Sequence, residues 1–255
     1  MLDFYRFEHL QKYPELLHAV TTKSSDLPYR FSLALHTGEE SAKIITNRKK
    51  LSKLFNTNKG LHYIVANQTH SDHIKVIQKQ ENKGWESLED AIEDCDALIT
   101  DAEGVVLSIL TADCVPVLLY DKKKKVVAAI HAGWKGTQAH IVTKTVQKMT
   151  DVFGSNPKDI QAGIAPSIGS CCYEVGEDVA GHFFETPEAF TKQGEKYMLN
   201  LPYLNKEQLL SAGVSESNIE MSDICTACEV ERFFSYRKEK GCSGRFMSMI
   251  GLTSS

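Results

Sequence analysis

The sequence predicts an α+β fold in which mixed β-sheets are layered with helices. Three observations carry that reading. Apolar runs suited to buried strands follow one another at 105–110, 115–120 and 126–130, with only short polar breaks between them. Helical segments lie elsewhere, over 39–56, 139–153 and 205–213, and do not alternate strictly with the strands. No Pro- or Ser-rich linker and no repeat of fixed period interrupts the 255 residues, so one domain over 1–255 is expected.

Phe4 to Phe7 reads as a short strand, followed by a turn near Pro14. A polar loop, TTKSSDLPYR, precedes the strand-like FSLALHTG at 31–38. In 39–56, Ile44, Ile45, Leu51, Leu54 and Phe55 recur at near-helical spacing, and Ser41 can cap the start. His62 to Ala66 is a strand running into Asn67-Gln68-Thr69-His70, and Ile74 to Ile77 is the next. The charged segment 78–94 reads as loop before Asp94-Cys95-Asp96 leads into Ala97-Leu98-Ile99-Thr100.

The chain is organised around 105–137. Val105 to Leu110 run into Thr111-Ala112-Asp113-Cys114, and Val115 to Tyr120 resume the apolar run. Asp121 to Lys125 form an exposed turn, and Val126 to Ile130 end at His131-Ala132-Gly133-Trp134-Lys135-Gly136. Ala139 to Phe153 is a helix with Ile141, Val142, Val146, Met149 and Phe153 on one face. Ile160 to Ile164 is a strand, and APSIGSCCYEVG at 165–176 is a small-residue loop holding a Cys pair. Residues 177–185 and 187–192 read as helical, with a polar stretch to about Lys196. Asn205 to Gly213 is a helix with Gly213 as its C-cap. Phe233 to Arg237 and Gly244 to Ile250 are the last expected strands.

The composition, 42% hydrophobic and 24% charged, is that of a protein with a full core. A net charge of −4 without a basic tail disfavours nucleic acid as partner, since phosphate contacts need clustered Lys and Arg. Lys122 to Lys125 fit a solvated turn. No apolar stretch approaches the roughly 20 residues that span a bilayer, and the N-terminus is too polar for a signal-peptide core. A cytoplasmic location is therefore expected. Seven cysteines there would be thiols, ligands or nucleophiles rather than disulfides.

His70, Cys114 and His131 each follow an apolar run and enter small or polar residues, so adjacent strands could bring them together. Three N/S ligands leave one position open, the pattern of a catalytic zinc. Asp113 and Asp96 could orient a ligand His or act as a general base. Lys135, beside two glycines at a helix start, could hold a phosphate as a point charge. Arg237 and Arg245 could do so bidentately. Tyr173 and Phe234 could stack on a heterocycle, with core packing the preferred reading for both. Cys225-Thr226-Ala227-Cys228 and Cys171-Cys172 read as structural or packing thiols.

The segments NQTHSDHI, DCDALIT, TADCVPVLLYD, AAIHAGWKGT, APSIGSCCYEVG, CTAC, FFSYR and GR occur in the order seen in a bacterial family. That family was once labelled polyphenol oxidase or multicopper laccase. It is now described as purine nucleoside phosphorylase with adenosine deaminase activity, and this chain resembles it over essentially its whole length. The resemblance implies a fold distantly similar to cytotoxic necrotizing factor, a Cys/His deamidase. It implies a metal triad of His70, Cys114 and His131 holding zinc, with copper sometimes reported. It implies phosphorolysis of adenosine, inosine and methylthioadenosine to free base and (methylthio)ribose 1-phosphate, together with deamination of adenosine. The partners would be purine nucleosides and phosphate, with the chain a monomer or homodimer.

The chain departs from the family pattern near its N-terminus. Thr22-Lys23-Ser24-Ser25 stands where the family has Thr-Arg and a Gly-Gly loop, and Ser32-Leu33-Ala34-Leu35 where it has Ser-Leu-Asn-Leu. The laccase label itself fails on ligand count. Four coppers need many imidazoles, HxH pairs among them, whereas the nine histidines here include no HxH pair. Two other functions use the same residues: a cysteine amidohydrolase with Cys114 as nucleophile and His131 as its base, and a non-catalytic binding protein with a vestigial site.

Overall fold

The computed structural model describes residues 2–55 and 60–253. Among these residues the strands form three sheets. The first runs in the order β1 (Phe4–Tyr5), β2 (Leu16–Thr21), β14 (Phe246–Leu252), β6 (Val105–Thr111) and β3 (His62–Val65). The second runs β13 (Ile219–Met221), β9 (Ile160–Ile164), β7 (Val115–Asp121), β8 (Val126–Ala132), β5 (Ala97–Thr100) and β4 (Ile74–Val76). A small third sheet runs β10 (Glu174–Val175), β12 (Lys196–Leu199) and β11 (Phe190–Gln193). The pairs β3–β6, β4–β5 and β9–β13 are parallel and the others antiparallel, so the sheets are mixed, as expected.

The unbroken apolar runs of the central stretch follow from burial on both faces. Along β7, Leu118 and Tyr120 pack toward the first sheet with Leu107 and Ile109 of β6. The alternate residues Val117 and Leu119 pack on the far side. There they meet Ile141, Val142, Val146 and Met149 of α4 (Ile141–Phe153) and Leu201, Leu204 and Leu209 of α6 (Leu201–Ser211). The outer face of the first sheet is closed by Phe31, Leu33 and Leu51, the last from α2 (Ser41–Phe55). Short helices α1 (Glu8–Gln11), α3 (Trp134–Gln138) and α5 (Glu177–Ala180) complete the fold. The expected exposed turn forms over 122–125, while Asp121 is buried at the end of β7 and its Oδ1 accepts from the amides of Lys123 and Lys124.

Several elements differ from the sequence reading. The last position of the expected 39–56 helix lies outside the described residues. Leu16–Thr21, not anticipated as a strand, is a buried strand paired on both sides. In FSLALHTG, residues 31–35 are buried and His36 and Gly38 are exposed, and the segment is not a strand. Tyr29, Arg30 and Phe31 have φ of 50°, 54° and 70°, and α2 side chains take the carbonyls a ladder would use. Asn47 Nδ2 donates to Ser32 O at 2.9 Å and Arg48 Nε to Leu33 O at 2.8 Å.

Phe233 to Arg237 is likewise a turn, because the carboxylates of Glu239 and Asp113 accept from the amides of Ser235 and Arg237. The expected 187–192 helix is one turn over Pro187–Ala189 followed by β11. Gln193 pairs with Lys196 across a two-residue Gly194-Glu195 turn, and Gly194 has φ of +60°. The helix expected from 205 starts at Leu201, where Asn200 Oδ1 accepts from Tyr203 N. The helix expected from 139 starts at Ile141, because His140 adopts φ of 59° between α3 and α4.

Candidate metal centre and cavity

The central stretch crosses between the two large sheets at Ala112-Asp113-Cys114, since β6 belongs to one and β7 to the other. Asp113 has φ of +88°, and this left-handed residue makes the sharp change of direction. Cys114 therefore sits at the seam. β8 lies beside β7 with His131 opposite Pro116, which brings His131 next to Cys114. β5 lies on the other side of β8, and His131 N donates to Asp96 O at 2.7 Å. His70, at φ of +63° in the β3–β4 loop, closes the cluster.

The donor atoms of His70, Cys114 and His131 all lie within 4.8 Å of one another. His70 Nε2 is 3.8 Å from Cys114 Sγ, and the two imidazole rings meet edge to face at 4.8 Å. Gly133 explains the glycine after His131. A Cβ there would lie 2.9 Å from His70 Cδ2 and 3.2 Å from Cys114 Sγ, so only a residue without one lets the three side chains converge.

Asp96 is fully buried and binds both halves of the cluster. Its Oδ1 is 2.6 Å from His131 Nδ1. The same carboxylate accepts from the amides of Thr69, His70 and Ser71 and from the Ser71 hydroxyl. Burial alone would push Asp96 up, but His131 and Ser71 hold it far below the usual carboxylate range. Burial would also push Cys114 up; His131 and His70 outweigh it and bring the thiol down to about 6. Burial would lower His131, yet Cys114 and Asp96 raise it to about 9. Each member thus favours the charged form of the other, thiolate beside imidazolium.

These residues fit a metal ion. An ion bonded at about 2.1 Å to nitrogen and about 2.3 Å to sulfur holds neighbouring donors roughly 3.4–3.8 Å apart. With Nδ1 of His131 taken by Asp96, its Nε2 is the nitrogen left for an ion, the usual carboxylate–histidine–metal order. Two imidazoles and a thiolate suit zinc or copper.

The cluster forms one wall of a cavity of about 490 Å³. Asp113, Arg237 and Arg245, singled out from sequence, line it, and so does Tyr173. Lys135 does not: it is exposed, and Trp134 faces the cavity one position earlier, about 100° round the helix. Phe234 is buried beneath Lys23, whose Nζ lies 4.7 Å from its ring centre. The Lys23 side chain is buried, paired with Glu239 at 2.8 Å and donating to Val230 O.

Asp113 lines the cavity, and each of its oxygens accepts one hydrogen bond: Oδ1 from Thr226 Oγ1 at 2.7 Å and Oδ2 from Arg237 N at 2.6 Å. Each arginine commits its Nη1 to backbone carbonyls, Arg237 to Glu174, and Arg245 to Ser243 and Gly244. Their guanidinium groups lie over Tyr173 and Tyr236 at 5.3 and 5.7 Å.

Sequence reasoning missed His36, Gln68, Trp134 and Tyr236 in the lining. Burial, then Arg245, hold His36 below the ordinary imidazole value. Gln68 exchanges two hydrogen bonds of 2.8 Å with the Leu110 backbone, imitating one more residue of strand. No spacing rule singles out such residues; only the fold brings them to the cavity. The cysteines read as packing residues, Cys171, Cys172, Cys225 and Cys228, instead converge at one place, and all four are at least partly exposed.

Comparison with known proteins gives consistent results. A family model described as multi-copper polyphenol oxidoreductase laccase matches residues 18–253. Purine nucleoside phosphorylase YlmD of Bacillus subtilis (strain 168) is 35% identical over 252 residues, 95% of this chain and 90% of that protein. Adenosine deaminase RL5, from an unknown prokaryotic organism, is 33% identical over 226 residues, 86% of each chain. The crystal structure of Bacillus licheniformis hypothetical protein YfiH superposes with a TM-score of 0.89 at 36% identity, covering 95% of both chains.

Proposed function

The chain belongs to the family of the multi-copper polyphenol oxidoreductase laccases, and from that premise we propose that it is a metal-dependent purine nucleoside enzyme rather than an oxidase. It cleaves adenosine, inosine and methylthioadenosine with phosphate, releasing free base and (methylthio)ribose 1-phosphate, and it deaminates adenosine. The relatives named purine nucleoside phosphorylase and adenosine deaminase support both halves of this reading. The ligand inventory speaks against a four-copper oxidase. Among the described residues the groups able to hold a metal are one His/Cys/His set and one set of four thiols.

The observation that carries the proposal is the placement of the His70–Cys114–His131 cluster on the wall of a 490 Å³ cavity that also holds two arginines and three large aromatic rings. Zinc, or copper, held by those three residues supplies Lewis acidity at that wall. One face each of Trp134, Tyr173 and Tyr236 is covered by His182, Arg237 and Arg245, and the opposite faces offer stacking surface to a purine. Arg237 and Arg245 bind phosphate through charge-assisted bonds, and place it to attack ribose C1′ as the bond to the base breaks. His36, held toward its neutral form, can hydrogen-bond substrate without adding charge beside Arg245. Asp113, held in place by Thr226 and the Arg237 amide, keeps a free lone pair on each oxygen at the cavity wall and can shuttle protons during deamination.

Zinc-loaded protein incubated with adenosine and phosphate should yield adenine with ribose 1-phosphate, and inosine or hypoxanthine from deamination. Absence of all these products at high enzyme concentration contradicts the proposal.

One observation favours a second reading. Cys114, His131 and Asp96 form a thiol–imidazole–carboxylate chain of the kind that activates a nucleophilic cysteine. A metal-free protein whose Cys114 is alkylated rapidly by iodoacetamide would support it. One metal per His/Cys/His cluster, protecting Cys114 from alkylation, supports the first.

A further inference from the structure

We infer that Cys171, Cys172, Cys225 and Cys228 form a second metal site, one that takes a soft divalent cation such as zinc through four thiolates and clamps two loops beside the cavity. The four sulfurs lie within 4.8 Å of one another. Cys228 Sγ is 3.6 Å from Cys171 Sγ and 3.5 Å from Cys172 Sγ. A tetrahedral ion with bonds of about 2.3 Å to sulfur sets neighbouring sulfurs roughly 3.8 Å apart, so the cage needs little adjustment. Disulfides are the competing chemistry, but the bond needs about 2.05 Å and a vicinal pair such as Cys171-Cys172 forms one only with strain.

The backbone around the thiols is tied down from both sides. Ser167 N donates to Ile224 O and Thr226 N donates to Ser167 O, which locks the 165–173 loop to the 224–228 loop. Cys225 Sγ accepts from Gly169 N at 3.3 Å. A Cβ on Gly169 would meet Cys225 Cβ at 3.3 Å and Cys171 Sγ at 3.4 Å, so the loop lies close against the sulfurs and a side chain there would crowd them. Cys225 and Cys228 come from the CxxC turn, in which Glu229 N donates to Cys225 O. One such pair is a weak sign of zinc in a sequence; the fold supplies the other two ligands.

The site braces residues that matter to the cavity. Tyr173, next to the vicinal pair, lines it. Thr226, inside the CxxC, bonds Asp113 at 2.7 Å, and Ile168 N donates to Asp113 O. Binding would ionise the thiols and release their protons to solvent, leaving a closed four-sulfur shell with no position for substrate, which marks a structural rather than catalytic ion.

The test counts metal. Protein loaded with zinc under reducing conditions and desalted should carry two equivalents per chain by mass spectrometry of the metal. Cys225→Ser/Cys228→Ser should carry one. His70→Ala/His131→Ala should also carry one, and its cobalt form should show the strong thiolate-to-metal charge-transfer absorption of four sulfurs. Two results would overturn the inference: a wild type that binds no zinc, or a folded His70→Ala/His131→Ala protein that holds no metal. These hold even if the Cys225→Ser/Cys228→Ser protein does not fold. The count is also independent of nucleoside turnover, so an inactive protein with two zincs leaves this inference standing.

Discussion

Asp96 Oδ1 and His131 Nδ1 lie 2.6 Å apart, both groups buried, and the same carboxylate takes the amides of His70 and Ser71. One side chain thus sets the tautomer of one imidazole and the position of the loop bearing the other. Asp96→Asn keeps the shape and removes the charge. Zinc affinity, measured by competition with a chromophoric chelator, should fall about 10- to 100-fold. Unchanged affinity would show that the carboxylate does not orient His131.

Gly133→Ala should separate the cluster without unfolding the protein. The added methyl would lie 2.9 Å from His70 Cδ2, and His70 is exposed and able to move away. We expect a melting temperature within a few degrees of wild type and at least tenfold weaker metal binding. Full binding would mean that the close approach is incidental.

Arg237→Ala and Arg245→Ala should each raise the KM for phosphate at least tenfold, in line with the loss of a charge-assisted pair. The KM for nucleoside should change much less. Lys135→Ala should leave both constants unaltered, since Lys135 lies outside the cavity lining. A phosphate effect of Lys135 and none of the arginines would reverse the assignment.

Stability should depend on pH through His18, which is 1% exposed. Its Nε2 accepts from Phe7 N at 3.0 Å. Burial, with Arg6 second, lowers its pKa to about 4 from 6.5. The unfolded chain therefore takes up the proton first as pH falls. Stability is complete above about 6.5 and erodes toward pH 4, by up to roughly 3 kcal/mol. Urea unfolding at pH 7 and pH 5 should show about 2 kcal/mol of this loss in the wild type and less in His18→Gln, which keeps an acceptor but does not titrate.

Lys23 accounts for part of the N-terminal departure from the family pattern. Its side chain is 1% exposed, paired with Glu239 and packed on Phe234, so it anchors the 230–239 segment that presents Arg237. Lys23→Met leaves Glu239 without its partner and should cost about 2–3 kcal/mol in denaturant unfolding, at the low end for a broken buried pair because Glu239 is partly exposed. A change below about 0.5 kcal/mol would mean that the pair is no anchor.

The sequence was legible where hydrophobic period and burial agree. β6, β7, β8 and β9 are apolar on both faces and bounded by turn residues, and all appear close to their expected limits. His70, Cys114 and His131 could be named because each ends such a run. The misreadings come from tertiary hydrogen bonding that replaces a ladder, as Asn47 and Arg48 do for residues 32–33 and Asp113 and Glu239 do for 235–237. Leu16–Thr21 was hidden by a histidine and a threonine that only the fold buries. The four-thiol cluster was illegible because its halves are some fifty residues apart and neither alone is a metal motif.

The most direct measurement of the central claim is phosphate-dependent release of adenine and ribose 1-phosphate from adenosine by zinc-loaded wild type, with His70→Ala alongside. Wild type should release both products in equal amounts, and His70→Ala should lose at least a hundredfold in rate while keeping its fold. Equal rates in the two proteins, or no release by either, would contradict a role for the His70–Cys114–His131 cluster in nucleoside chemistry.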